Sequence, residues 1–254
     1  VTATNATSTD SKEATVQPVP ATPDVPLAGL TTLYTGNGSA KTITNGIDLV
    51  NNDGLVWTKG RSVDYNNALV DTVTGAGKLL VSNKTDGQGD YPDGLTSFLS
   101  TGYSLGNNVQ WNNTADYVSW CFGKAEGYFD VVEYTGTGSP QQISHSLNTK
   151  PGMIICKGID SVDSWAVQHS AVDATYRGRL NSTSQFDQTS GYWNDTEPTS
   201  TEFTVGIDPA TNNAGSTFIA YLFAEDTPDV IKCGSYIGND STTGPIITTG
   251  FTPQ

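Results

Sequence analysis

Charge is scarce in this 254-residue chain, at 15% of residues, and positive charge is scarcest: 12 Lys and Arg stand against 26 Asp and Glu. The formal net charge of −14 repels a phosphate backbone, which argues against nucleic-acid binding. Histidine occurs only as His145 and His169, and the three cysteines are far apart. A zinc site needs Cys or His clustered at ligand spacing, so none is expected, and nothing in the sequence implies a cofactor. No run nears the roughly 18 apolar residues of a membrane helix, and no signal peptide is visible, so membrane insertion is not expected. What fills the chain instead is Gly (27 residues) with Thr, Ser and Asn, the composition of strands and turns.

The pattern repeats itself. Asp116–Gly138 reads DYVSWCFGKAEGYFDVVEYTGTG, and Phe218–Asp240 reads FIAYLFAEDTPDVIKCGSYIGND. Tyr117, Trp120 and Phe122 match Phe218, Tyr221 and Phe223. A Tyr-Xaa-Gly signal opens at Tyr34, Tyr134 and Tyr236, and Gly54–Gly60 matches Gly152–Gly158, in steps of about a hundred residues. The spacing predicts an extended Pro/Thr-rich arm at 1–31, one copy at 32–132 and a second at 133–233. A third copy is expected to open at 234–254 and to run on into a longer array, the missing initiator Met fitting a fragment. Cys121 stands where the other copy has Leu222, and Cys156 where it has Thr58. Cysteines that do not recur belong to no shared disulfide or metal framework and read as small buried apolar residues.

In the first copy, strands are expected at Lys41–Ile47, Gly54–Gly60, Ala68–Val73, Lys78–Ser82, two about Gly102, Tyr117–Phe122 and Phe129–Tyr134, which closes the unit. In the second they are expected at Gln142–His145, Met153–Lys157, Trp165–His169, Tyr176–Leu180, Glu202–Val205, Phe218–Phe223 and Val230–Cys233. Short strands every eight to twelve residues, with turn signals between, predict an all-β chain of two tandem antiparallel β-sandwiches, jelly-roll-like, and no long amphipathic helix. Prolines at 18, 20, 23 and 26 suppress helix and central strand in the arm, leaving an extended linker or a segment lying on a neighbour.

Four aromatics sit in polar loops: Tyr91, Trp111, Tyr192 and Trp193. Rings exposed there would stack on sugars or on a neighbouring subunit. Trp57, Trp120 and Trp165 lie on apolar strands and read as core. Asp86, Asp90 and Asp93 on a Gly-rich loop form a weak calcium candidate, although the spacing fits neither an EF-hand nor a repeated calcium nonapeptide, and a solvated turn is the plainer reading. His169 with Ser170 and Asp173 suggests a fragment of a nucleophilic triad, but there is no nucleophile elbow and His169 aligns with Asp71 in the first copy. Asn-Xaa-Ser/Thr at Asn5, Asn37, Asn83, Asn112, Asn181, Asn194 and Asn239 is what an Asn- and Thr-rich chain generates by chance.

Gly54-Leu-Val-Trp-Thr-Lys-Gly-Arg61, Leu69-Val-Asp-Thr-Val73, Gly75-Ala-Gly-Lys78, Leu95-Thr-Ser-Phe98, Gly102-Tyr-Ser-Leu-Gly106 and Tyr117-Val-Ser-Trp-Cys-Phe122 carry a resemblance. Pro151–Lys157, Trp193–Thr199, Phe218–Phe223 and Gly250–Gln254 extend it. Over most of 30–254 the chain resembles a repeated domain family of tailed-bacteriophage virion proteins of tail-fibre type, common in marine and cyanobacterial phages. The resemblance implies a non-catalytic structural protein, extracellular on the virion, with a β-sandwich fold. Expected partners are copies of itself, trimers being usual for fibres, other virion proteins and a host-surface glycan. A tail fibre or host-recognition appendage is the first expectation, a capsid decoration protein the second and a surface-polysaccharide depolymerase the third.

Overall fold

The computed structural model describes residues 28–253; the expected arm lies almost wholly outside the described residues. Among the described residues the chain is all-β and antiparallel, with helix confined to single turns of four residues. The first half comprises β1 (Gly29–Thr35), β2 (Lys41–Thr44), β3 (Gly54–Gly60), β4 (Ala68–Asp71), β5 (Lys78–Val81), β6 (Gly89–Asp90), β7 (Leu95–Leu99), β8 (Gly102–Leu105), the turn α1 (Val109–Asn112) and β9 (Asp116–Gly123). The second comprises β10 (Phe129–Thr135), β11 (Gln141–Ser144), β12 (Pro151–Gly158), β13 (Ala166–His169), β14 (Tyr176–Arg179), β15 (Asp187–Gln188), α2 (Ser190–Trp193), β16 (Glu202–Val205), α3 (Pro209–Asn212) and β17 (Thr217–Ala224). A two-residue hairpin, β18 (Asp226–Thr227) with β19 (Ile231–Lys232), leads into a tail without further strands.

Each half builds one large sheet in the same order: β1-β9-β3-β4-β5-β6 in the first, β10-β17-β12-β13-β14-β15 in the second. A small sheet covers one face of each, β2-β8-β7 in the first half and β11-β16 in the second. The boundary between halves falls earlier than 132/133. Phe129–Val132 belong to β10, which pairs with β17 and so opens the second sheet instead of closing the first. The reason is available edges. β9 is already bonded to β1 on one side and β3 on the other, so a strand following it cannot fold back as a hairpin. Residues 234–253 pair with no strand, and Tyr236, Ile237 and Ile246 are exposed.

The recurring Tyr-Xaa-Gly turns have one physical cause. Asn112 and Asn212, both buried, each bracket the turn that faces them. The Asn112 carboxamide accepts from the Asn37 amide and donates to the carbonyls of Ser39 and Gly106. Asn212 does the same with Thr137, Ser139 and Gly206. Glycine is required at 36 and 136 because a Cβ would lie 1.8 Å and 2.2 Å from the carbonyl oxygens of Asn113 and Asn213. The tyrosine hydroxyls of the motif donate to the same turns, Tyr34 to the Trp111 carbonyl at 2.8 Å and Tyr134 to that of Thr211 at 2.6 Å.

Three apolar layers result. Val56, Val70, Cys121 and Trp111 pack between the first large sheet and its small one, and Ile154, Cys156, Leu222 and Phe203 do so in the second half. The third layer lies between the halves: Leu55, Leu69 and Leu80 meet Phe129, Ile155, Trp165, Ile219, Tyr221 and Phe223. Both large sheets are therefore covered on both faces. Along β17, Phe218, Ala220, Leu222 and Ala224 face their own small sheet while Ile219, Tyr221 and Phe223 face the other half. Polar ties cross the same layer. The Tyr221 hydroxyl donates to Asp71 at 2.8 Å, and the Trp165 indole N–H is shared by the Val81 and Lys84 carbonyls at 3.1 Å each. At 1.5–3 kcal/mol for each large side chain, roughly, this layer stabilises the pair on the scale of a whole domain core.

Candidate functional site

The expected site residues divide by burial. Trp111 is 1% exposed, Tyr192 3% and Trp193 0%, all inside the two cores, and only Tyr91, at 39%, reaches the surface, its ring set edge-on to Trp111. Three of the four loop aromatics thus pack inward and offer no ring to a sugar. Polar neighbours in sequence conceal this, because α1 and α2 are single turns, each burying only its last two residues, Trp111 with Asn112 and Tyr192 with Trp193. Of the strand tryptophans, Trp165 is fully buried, whereas Trp57 and Trp120 are half-buried and meet edge to face at 6.2 Å.

The aspartate loop is not gathered around a point. Asp90 pairs with Lys78, Asp86 and Asp93 are exposed, and the Gln88 amide donates to the Ile159 carbonyl at 2.7 Å, so the loop docks on the second half. Among the described residues no group of three or more His, Cys, Asp and Glu side chains is arranged to hold a metal ion. His169 and Asp173 do not engage each other: His169 Nδ1 accepts from the Ala171 amide, and Asp173 accepts from the amide and hydroxyl of Thr175. Burial lowers the His169 pKa. No helix among the described residues is long and apolar enough to cross a membrane.

One groove stands out, with a volume of about 410 Å³. It is built where three distant parts of the chain meet: the start of β1, the end of β9 with the linker to β10, and the tail. The antiparallel register sets Gly29 opposite Phe122 and Thr31 opposite Trp120, which places both rings beside the edge strand. Tyr128 leans over from the linker. Gly29 is needed beneath it, since a Cβ there would lie 1.8 Å from the Tyr128 hydroxyl oxygen. Val230 and Phe251 also line the groove. Burial pushes the Tyr128 hydroxyl up to about 12 and the Cys121 thiol to about 12, so both stay protonated at neutral pH and neither is a nucleophile there. The lining holds the rings of Trp120, Phe122, Tyr128 and Phe251 and one charged residue, Asp229, which suits an apolar or ring-shaped ligand.

Sequence reasoning missed this place because Trp120 read as core and Phe251 as part of another copy. The signal that could have pointed to it is the pairing of Gly29 with an aromatic-rich linker, but only the folded chain brings them together.

The match to a known family covers residues 30–254, from the second residue of β1 through both halves and the tail. The chain belongs to the family described as Domain of unknown function (DUF7483). A DUF7483 unit in this chain is thus the two halves together, in agreement with the apolar layer they share. No curated protein and no solved structure matches it.

Proposed function

We propose that this DUF7483 chain is a non-catalytic structural protein of a bacteriophage particle, part of a tail fibre or comparable host-recognition appendage. The observation that carries the reading is the stacking of the two halves through a continuous aromatic and aliphatic layer, which makes a stiff block out of two sheets that would each be incomplete alone. Stiff, repeated β-blocks with a polar, acidic surface suit an extended extracellular part that must stay soluble and keep its subunits apart.

In this reading the partners are copies of the chain and other particle proteins, and the location is the extracellular virion. Of the loop aromatics only Tyr91 is available to a host glycan, so adhesion depends on many weak contacts displayed in parallel. Immunogold labelling of intact particles with an antibody to this chain is the test. Label on tail appendages supports the proposal. Label spread over the head makes it a decoration protein, and absence of label from any particle overturns the virion reading.

A further inference from the structure

The aromatic groove marks a place where the two halves part company. In the second half Phe129 stands opposite Phe223, the rings 5.1 Å apart and both buried in the shared layer. The equivalent pair in the first half is Gly29 opposite Phe122, so one ring is missing from the edge strand and Tyr128 packs over the glycine. The lining joins rings to hydrogen-bonding groups that the fold leaves unused. Elsewhere such groups are committed: the Trp57 indole N–H donates to Asn67, the Tyr103 hydroxyl to Ser119 and the Tyr117 hydroxyl to the Val109 carbonyl. The side chains of Trp120, Tyr128, Thr31 and Asp229 line the groove and make no hydrogen bond or ion pair among the described residues. Asp229 is exposed at the tip of the β18–β19 hairpin, in left-handed backbone with φ 62°.

We propose, on the reading of the chain as a host-recognition part, that this groove binds an uncharged sugar of a cell-surface oligosaccharide, a ring face stacked on Trp120 or Phe251 and the hydroxyls bonded to Asp229, Thr31 and Tyr128. A sugar carries C–H groups on its faces and hydroxyls at its rim, so it uses the rings and the polar groups together. A hydrocarbon would leave the polar groups without partners. A quaternary ammonium would take the rings and Asp229 but leave the Tyr128 hydroxyl and the Trp120 N–H unpaired. Acidic sugars are repelled by Asp229 and by the net charge of −14. The volume of about 410 Å³ is that of a small-ligand site, for which roughly 300–1,000 Å³ is usual. One open groove holds its ligand weakly, and retention on a cell comes from many chains side by side.

The test applies the full chain, fluorescently labelled, to an array of neutral hexose and N-acetylhexosamine oligosaccharides printed beside uronic-acid and sialylated ones. Binding to neutral spots alone is expected. Phe251→Ala and Asp229→Asn should each lower it about tenfold, and neither residue belongs to the three apolar layers, so the fold is kept. Trp120→Ala should abolish it, with an unchanged circular dichroism spectrum as the check on folding. A neutral oligosaccharide from a bound spot, added in solution, should shift the tryptophan emission, and Trp120→Phe should remove that shift while keeping most of the binding. Neutral binding that survives Phe251→Ala, Asp229→Asn and Trp120→Ala overturns the groove but leaves host recognition standing, and its loss in Tyr91→Ala would place the contact there instead. Binding to acidic spots alone, or to no spot, also overturns the sugar site. Neither result bears on where the chain sits in the particle, which immunogold labelling decides independently.

Discussion

The two halves share a skeleton and differ in how they fill it. In the first, Trp111 on α1 lies over Gly94, where a Cβ would meet the indole ring at 2.7 Å. In the second, the position of Trp111 holds Thr211, and the position of Gly94 holds Tyr192: the equivalent Gly106 and Gly206 amides donate to the Gly94 and Tyr192 carbonyls. The Thr211 hydroxyl donates to that Tyr192 carbonyl at 3.2 Å. The bulky ring stands on α1 in the first half and on α2 in the second, while the Asn112 and Asn212 brackets are unchanged. Hydrogen bonds that satisfy buried backbone are hard to replace, whereas volume can be exchanged between neighbours that touch. The lysines show the same contrast: Lys157 is fully buried and donates to the Gly158 and Ser161 carbonyls, while Lys59 is half-buried and donates to that of Tyr65.

The comparison can be broken most forcefully in the layer both halves share. Phe129→Ala empties a fully buried site there and should cost about 3–5 kcal/mol, lowering the urea midpoint for both halves in one transition. Separate transitions would mean that the halves unfold independently. Next comes the exchange of bulk. Trp111→Thr should cost about 3 kcal/mol and Gly94→Tyr about 1–3 kcal/mol, yet the double variant should be more stable than their sum by more than about 1 kcal/mol. Additive costs would refute the volume exchange. Asn112→Ala and Asn212→Ala should cost about 2 kcal/mol each and, more tellingly, nearly the same amount, because each strands equivalent backbone groups. Thermal denaturation of the two variants side by side decides that.

The smallest effect concerns Asp71. Desolvation raises its pKa above the ordinary 3.8, and its bonds to the Thr74 amide and the Tyr221 hydroxyl oppose the rise. A carboxyl raised on folding contributes stability that is full below its unfolded pKa and is lost as pH rises through the folded value. Tyr221→Phe removes a bond that favours the carboxylate. Its cost, about 1–2 kcal/mol, should therefore be greater at pH 7 than at pH 4. An equal cost at both pH values would show that Asp71 does not titrate across this window.

Much of the fold was legible because strands announce themselves locally. Gly54–Gly60, Glu202–Val205 and the core of β17 were readable from apolar content and flanking glycine. What β17 concealed was the reason for its unbroken apolar run: seven successive buried residues in an antiparallel strand require a cover on each face, and one cover is the other half. Trp111 and Trp193 were misplaced because a single helical turn has too few residues to show a period. The groove was not legible at all, since Gly29, Tyr128 and Phe251 come together only through tertiary structure.

The Asp71–Tyr221 contact has a consequence for how such a block can change. In an assembly of two identical separate chains, every substitution appears at both related positions and must be tolerated in both. Here the counterparts of Tyr221 and Asp71 are Trp120 and His169, each half-buried, and the hydroxyl–carboxyl bond is made once only. Within one chain the interface need not be symmetric: Tyr221 ties the halves through Asp71, while Trp120, half-buried, makes no such tie and lines a groove.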